Sequence, residues 1–105
     1  MIVVVGRVRT DAERRAELVR IAQDLVAASR RDEGCISYRF YEDTEIANDF
    51  VFIEEWENDH ALQQHFATAH IAEFMRTVPA ALVAPPDVCF HTIEHTRSLA
   101  DARRR

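Results

Sequence analysis

Glu33-Gly34-Cys35-Ile36-Ser37-Tyr38-Arg39-Phe40-Tyr41, followed after a polar gap by Phe50-Val51-Phe52-Ile53-Glu54-Glu55-Trp56-Glu57, decides how this chain folds. Side chains on a strand alternate between its two faces. On that rule Cys35, Ser37, Arg39 and Tyr41 share one face of a strand running from about Cys35 to Glu42, opposite Ile36, Tyr38 and Phe40. In the next strand, from about Phe50 to Glu57, Phe50, Phe52, Glu54 and Trp56 point one way and Val51, Ile53 and Glu55 the other. The connection, Asp43 to Asp49, is polar and reads as a hairpin loop. Asn58 or Asp59 then caps a helix that carries His60, His65 and His70 and draws its apolar content from Ala61, Leu62, His65, Phe66, Ala69, Phe74 and Met75. The apolar phase slips near Thr68–His70, which predicts a break there; Pro79 marks the helix's decline and Pro85-Pro86 a boundary.

Outward from this centre the pattern completes itself. Ile2 to Arg9 alternates as a strand, with Ile2, Val4, Gly6 and Val8 on one face. Thr10 or Asp11 is the expected cap of a first helix, whose Leu18, Ile21, Ala22, Leu25, Val26 and Ala28 recur at helical spacing and which ends around Ser29–Arg31. Val88 to Glu94 is the last strand. Residues 1–96 therefore form one domain and 97–105 a tail. The order β-α-β-β-α-β is the ferredoxin-like arrangement of the α+β class: an antiparallel four-stranded sheet with both helices on one face. Large apolar side chains also occupy the other face, so the sheet is expected to pair face to face with a second copy in a homodimer.

Composition narrows the functional classes. The chain has 105 residues, 48% hydrophobic and 30% charged, with a net charge of −5, which argues against a general nucleic-acid binder. The basic end, Arg103-Arg104-Arg105, reads as a solvated terminus. No apolar run approaches the ~20 residues that span a bilayer, and no basic segment precedes the apolar start, so a cytoplasmic, membrane-free location is expected. All 13 basic residues are arginine, which excludes Schiff-base or general-base lysine chemistry. Cys35 and Cys89 make no Cys-x-x-Cys pair and read as small hydrophobes. With only Gly6 and Gly34 there is no phosphate-cradling loop. No metal is expected either: His60, His65 and His70 lie five apart, which turns each ~140° from the last on a straight helix, and His91 and His95 are ~13 Å apart along a strand.

Glu33-Gly34-Cys35 with Tyr38, Phe52-x-Glu54-x-Trp56, and Ala61-Leu62-x-x-His65-x-x-x-x-His70 with Phe74 together give a pattern that resembles the antibiotic biosynthesis monooxygenase domain family, the dimeric α+β barrel proteins that include cofactor-independent quinol and anthrone oxygenases. The resemblance covers roughly residues 2 to 94. It implies oxidation of a small hydroxylated aromatic, hydroquinone or anthrone in type, to a quinone by O2, with no metal or flavin cofactor. A haem-degrading branch of such barrels carries an Asn on the first strand and a Trp with a later His on the second helix. This chain offers Gly6 and Arg7, then His65 and Phe66 with no helical Trp, and so departs from that branch.

His65 is the leading candidate for a proton-accepting base, since imidazole suits that task near neutral pH; the alternative is a histidine that bridges helix and sheet. Trp56 offers a flat face to a ring, or else anchors the core. Glu54, a carboxylate on an apolar face, needs a partner and could orient His65 or hold a substrate hydroxyl. Tyr38, Arg39 and Arg7 are candidate pocket residues, the arginines to steady a phenolate-type anion. Phe52, Phe66, His70 and Phe74 are candidate pocket walls. Two other functions fit the same residues: a non-enzymatic small-ligand module, and an isomerase or decarboxylase of a small aromatic or lactone.

Overall fold

The computed structural model describes residues 1–104. Its elements run β1 (Ile2–Arg9), α1 (Arg15–Ser29), β2 (Cys35–Glu42), β3 (Asp49–Trp56), α2 (Asp59–Phe66), α3 (Ala69–Thr77) and β4 (Asp87–Thr92), with a 3-10 turn at Val78–Ala81 and a short helical turn at Leu99–Ala102 in the tail. The strands form one antiparallel four-stranded sheet in the order β2-β3-β1-β4, the expected ferredoxin-like α+β topology. No helix among the described residues is long and apolar enough to cross a membrane.

The core lies between one sheet face and the helices. Val4, Val8, Phe50, Phe52 and Trp56 from the sheet are buried against Leu18, Ile21, Ala22 and Leu25 of α1 and Leu62 of α2. Burying each such large side chain contributes about 1.5–3 kcal/mol, which drives the helices onto this face. β4 is the edge strand beside β1 and its residues stay exposed, Val88 and Phe90 included. On the opposite sheet face Val3, Val5, Val51 and Ile53 are half-buried and Tyr41 is exposed.

Two local expectations are corrected. α1 begins at Arg15, not at Thr10 or Asp11: Asp11 instead accepts the Arg14 N–H at 3.0 Å within a preceding turn, and the Thr10 hydroxyl donates to the Ala81 carbonyl at 2.6 Å. In β2 strict alternation fails at its start. Cys35 pairs with Trp56 but Ser37 pairs with Glu55, so Ile36 is an extra, bulged residue. The bulge moves Cys35 to the face of Tyr38 and Phe40, away from Ser37, Arg39 and Tyr41.

Gly34 sets the approach of α2 to the sheet. Its φ is +82°, a left-handed conformation that glycine adopts without a Cβ penalty. A Cβ there would lie 2.4 Å from the Ala61 Cβ. The bare glycine thus lets the first turn of α2 sit directly on the β2 turn. His65, four residues beyond Ala61 and on the same helix face, comes down over the same turn.

Candidate active site

The helix expected after Asn58 is two helices. α2 ends at Phe66 and α3 starts at Ala69, so the break falls at Ala67–Thr68, at the edge of the expected Thr68–His70 region. Thr68 makes the joint: its hydroxyl donates to the His65 carbonyl at 2.7 Å and accepts the Ile71 N–H at 3.4 Å, closing one helix and capping the next. The change of direction overturns the straight-helix argument about the histidines. His65 Nδ1 lies 2.7 Å and His70 Nε2 2.8 Å from the same oxygen, Oδ2 of Asp32. His60 is not part of this group and is exposed.

Asp32 was not among the residues singled out from sequence. It sits in the turn between α1 and β2, where its N–H donates to the Ser29 carbonyl at 3.0 Å and its carbonyl accepts the Cys35 N–H at 3.1 Å. One sequence signal points to it: a carboxylate just past a helix C-terminus meets the negative end of the helix dipole and needs a donor from elsewhere. Two imidazoles supply that need.

The cluster is graded in exposure. The His65 side chain is 1% exposed, that of Asp32 15% and that of His70 25%. Burial pushes the His65 pKa below the ordinary histidine value, while hydrogen bonding and attraction from Asp32 push it back up in part. The net shift favours the neutral imidazole. Its Nδ1 is engaged by Asp32, which leaves Nε2 for a ligand.

His65 lines a cavity of about 500 Å³ between the sheet and α2–α3. The walls are apolar: Val4, Phe52, Phe66, Phe74, Val88 and Phe90 among them, with Gly6 on the floor. Phe52 and Phe74 meet edge to face at 5.6 Å, and Phe66 and Phe90 do so at 5.8 Å near the open β4 side. Among the described residues only Tyr38, Glu54 and His65 bring ionisable side chains to this lining. A second hollow of about 510 Å³ lies between α1 and the β2–β3 hairpin, with Arg15, Arg30 and Glu42 in its lining. It is open and crossed by the Arg15–Glu42 ion pair, and it holds none of the Asp32 cluster, so the apolar cavity is the candidate site.

Trp56 lies beneath this site. It is fully buried, its ring sits 4.4 Å from that of His65, and its indole N–H donates to Glu54 Oε1 at 2.9 Å. Trp56 is therefore a core anchor that packs under the His65 ring and does not line the cavity. Burial raises the Glu54 pKa, and the Trp56 donation and the nearby Tyr38 hydroxyl oppose that rise. Burial, followed by the Glu54 charge, also raises the Tyr38 pKa, so the phenol keeps its proton and remains a donor.

Not every expected pocket residue converges. Tyr38, Glu54, Phe52, Phe66 and Phe74 line the cavity with His65, and His70 stands behind it on Asp32. Arg7 and Arg39 do not join them. Arg7 pairs with Val51 and Arg39 with Ile53, which puts both on the far sheet face, so neither reaches an anion in this cavity. The physical reason is the period of two: Gly6 and Tyr38 face the helices, so their neighbours Arg7 and Arg39 cannot.

The donor set of Asp32, His65 and His70 also has the types that transition metals use, with its ligand atoms within 4.8 Å of one another. The spacing fits hydrogen bonds better. Ligand atoms sharing a metal at ~2.0–2.1 Å stand ~3.0–3.4 Å apart, whereas each histidine nitrogen here is 2.7–2.8 Å from the carboxylate oxygen.

Comparison with known proteins adds three findings. The sequence pattern of a family described as antibiotic biosynthesis monooxygenase matches residues 1–77. An uncharacterized protein of Synechocystis is 37% identical over 98 residues, 93% of this chain and 67% of that one. A candidate monooxygenase of Bacillus subtilis, YcnE, is 36% identical over 88 residues, 84% of this chain and 93% of that one. Among solved structures, a candidate antibiotic biosynthesis monooxygenase from Deinococcus radiodurans superposes with a TM-score of 0.89 at 21% identity, covering 94% of this chain and 98% of that one, a likeness of fold.

Proposed function

This chain belongs to the antibiotic biosynthesis monooxygenase family, and from that membership we propose that it is a monooxygenase acting on a neutral hydroxylated aromatic, hydroquinone or anthrone in type, with O2 as oxidant. One observation carries the reading: a buried imidazole, His65, lines an apolar cavity large enough for fused rings and is backed by a carboxylate, Asp32.

The mechanism starts with the substrate ring against Phe52 and Phe74, on the inner side of the cavity. For an anthrone-type substrate, His65 Nε2 takes the enolic or benzylic proton, and the imidazolium beside the new anion offsets its charge. The anion passes one electron to O2; the carbon radical and superoxide then join in a C–O bond. His65 returns its proton to the peroxide. Removal of the remaining hydrogen on that carbon breaks the O–O bond, leaving a carbonyl and releasing hydroxide, which leaves as water with that proton. One oxygen atom of O2 enters the product and the other becomes water. The same initial deprotonation would serve a hydroquinone.

Oxygen uptake against a panel of hydroquinones and anthrones, with His65→Ala in parallel, tests this. Uptake above the uncatalysed rate that the variant loses supports the scheme. A His65→Ala protein that turns over its substrate at the wild-type rate sinks the role given to His65. We propose also that the far sheet face, with Val3, Val5, Val51, Ile53 and Tyr41, pairs with a second copy. A monomeric mass in solution light scattering at micromolar concentration refutes that pairing.

A further inference from the structure

We propose that Asp32 and His70 act together as a positioning pair that fixes which nitrogen of His65 carries the proton, and so keep the Nε2 lone pair aimed at the substrate cavity. The inference rests on the reading of His65 as the base and names two residues through which that base is controlled.

A neutral imidazole has two tautomers, and only the one protonated on Nδ1 offers a base at Nε2. Left to itself, a histidine does not strongly prefer the form this cavity needs. The Asp32 carboxylate at 2.7 Å from Nδ1 selects it, because an ionised carboxylate only accepts hydrogen bonds. Asp32 must itself be held, since it stands on a turn with its side chain partly exposed. His70 does this by donating from Nε2 to the same oxygen at 2.8 Å, so Oδ2 is drawn from two sides at once. The rings of His65 and His70 lie 5.7 Å apart, on two different helices.

The pair also spans the wall of the molecule. His65 faces the inner cavity. His70 faces a small groove of about 120 Å³ on the outside, with Arg20 and Asp24 of α1 and Glu73 of α3 around it. The group that fixes the base is therefore reached from a side the substrate does not occupy. No hydrogen bond from Asp32 or His70 to substrate is invoked; both act through His65.

Long-range ¹H–¹⁵N correlation spectra of the histidine rings in ligand-free protein test this directly. In the wild type, His65 is expected in the Nδ1-protonated form. Asp32→Asn keeps the size but offers an amide N–H to Nδ1, so His65 should move to the Nε2-protonated form. Its kcat should fall roughly a hundred-fold to ten-thousand-fold with KM within about twofold. His70→Ala should give a mixture of the two forms and a kcat loss on the order of tenfold. His70→Gln, whose amide can donate to Asp32 from a similar place, should restore the wild-type spectrum and most of the rate. A wild-type His65 protonated on Nε2 overturns the proposal, as does an unchanged His65 tautomer in Asp32→Asn. The His70 variants decide the matter if Asp32→Asn does not fold. The spectra need no substrate: if they follow the expected pattern while no oxygen is consumed, the proposed reaction fails and the positioning pair stands.

Discussion

Glu54→Gln is expected to stabilise this protein at neutral pH, by a margin that closes in acid. Glu54 is 8% exposed, on the helix face of β3. Opposing effects meet there. Burial disfavours the carboxylate, while the Trp56 N–H at 2.9 Å and, more weakly, the Tyr38 hydroxyl favour it. Burial is the larger, since the pKa stands above the ordinary glutamate value. Glutamine places an amide oxygen where Oε1 was, so Trp56 keeps an acceptor and loses only the charge-assisted part of the bond, about 1 kcal/mol. The ion's desolvation, roughly several kcal/mol for a buried charge, is removed altogether. A net gain on the order of 1–2 kcal/mol follows, and in a domain of this size each kcal/mol moves the melting temperature by about 4–8 °C. The sign with pH is fixed by linkage. A carboxyl whose folded pKa is raised favours the folded state below its unfolded pKa, and that contribution is lost as pH rises through the folded value. The wild type should therefore recover stability relative to the variant as pH falls, and the two should converge below about pH 4. Thermal melts by circular dichroism from pH 4 to 8 measure both curves. Equal melting temperatures at pH 8 refute the reasoning. A gap that ignores pH refutes it too, because packing rather than charge would then set the difference.

Gly34→Ala should cost about 2–4 kcal/mol, the sum of a positive-φ penalty near 1 kcal/mol and an overpacking cost, because its Cβ would meet the Ala61 Cβ at 2.4 Å. Adding Ala61→Gly should recover the packing part and leave the backbone part, as read by chemical denaturation. Gly6→Leu should leave stability unchanged or slightly raised, since a Cβ there meets Phe52 and Val88 only at 3.8 Å. The longer side chain enters the cavity, so turnover of a three-ring substrate should fall on the order of tenfold or more while a single-ring one is spared. The acid limb of kcat/KM should have its midpoint below the ordinary histidine value of about 6.5, because burial depresses the His65 pKa. In Asp32→Asn that midpoint should fall further, since Asp32 is the group that raises it; a midpoint at or above the ordinary value refutes the assignment of His65 as the base.

Much of the fold was legible because period-two and period-3.6 patterns are written in single residues. Phe50, Phe52, Glu54 and Trp56 share a face in the structure as their spacing requires. The bulge at Ile36 was not legible, since nothing local in Cys35-Ile36-Ser37 distinguishes a regular strand from one in which two residues face one. The two arginines misled for a related reason. Arg7 and Arg39 carry suitable chemistry for an anion, but each is the strand neighbour of a residue that faces the cavity, and the alternation that places Gly6 and Tyr38 inside places them outside. Residue type nominated them; strand geometry excluded them.

The histidines show how a local break rewrites a correct calculation. On one straight helix, residues five apart point ~140° away from each other, and His65 and His70 could never share a partner. The premise fails at Ala67–Thr68. α2 is only 8 residues long, and Thr68 adopts an extended backbone, φ −77° and ψ 155°, that resets the direction of the next helix. The phase slip in the apolar pattern already marked this point, so break and convergence are one event seen at two levels. What the pattern lacked was a destination. That destination is Asp32, in the turn after α1, brought near by the packing of α2 on Gly34. Three short features from different parts of the chain must coincide before the cluster exists: a bare glycine, a threonine that caps two helices, and a carboxylate past a helix end. Each is ordinary alone. A substitution at Gly34 or Thr68, neither of which lines the cavity, should therefore change the His65 tautomer along with stability, whereas an equally destabilising change at Val8 or Leu18 should lower the melting temperature and leave that tautomer as it was.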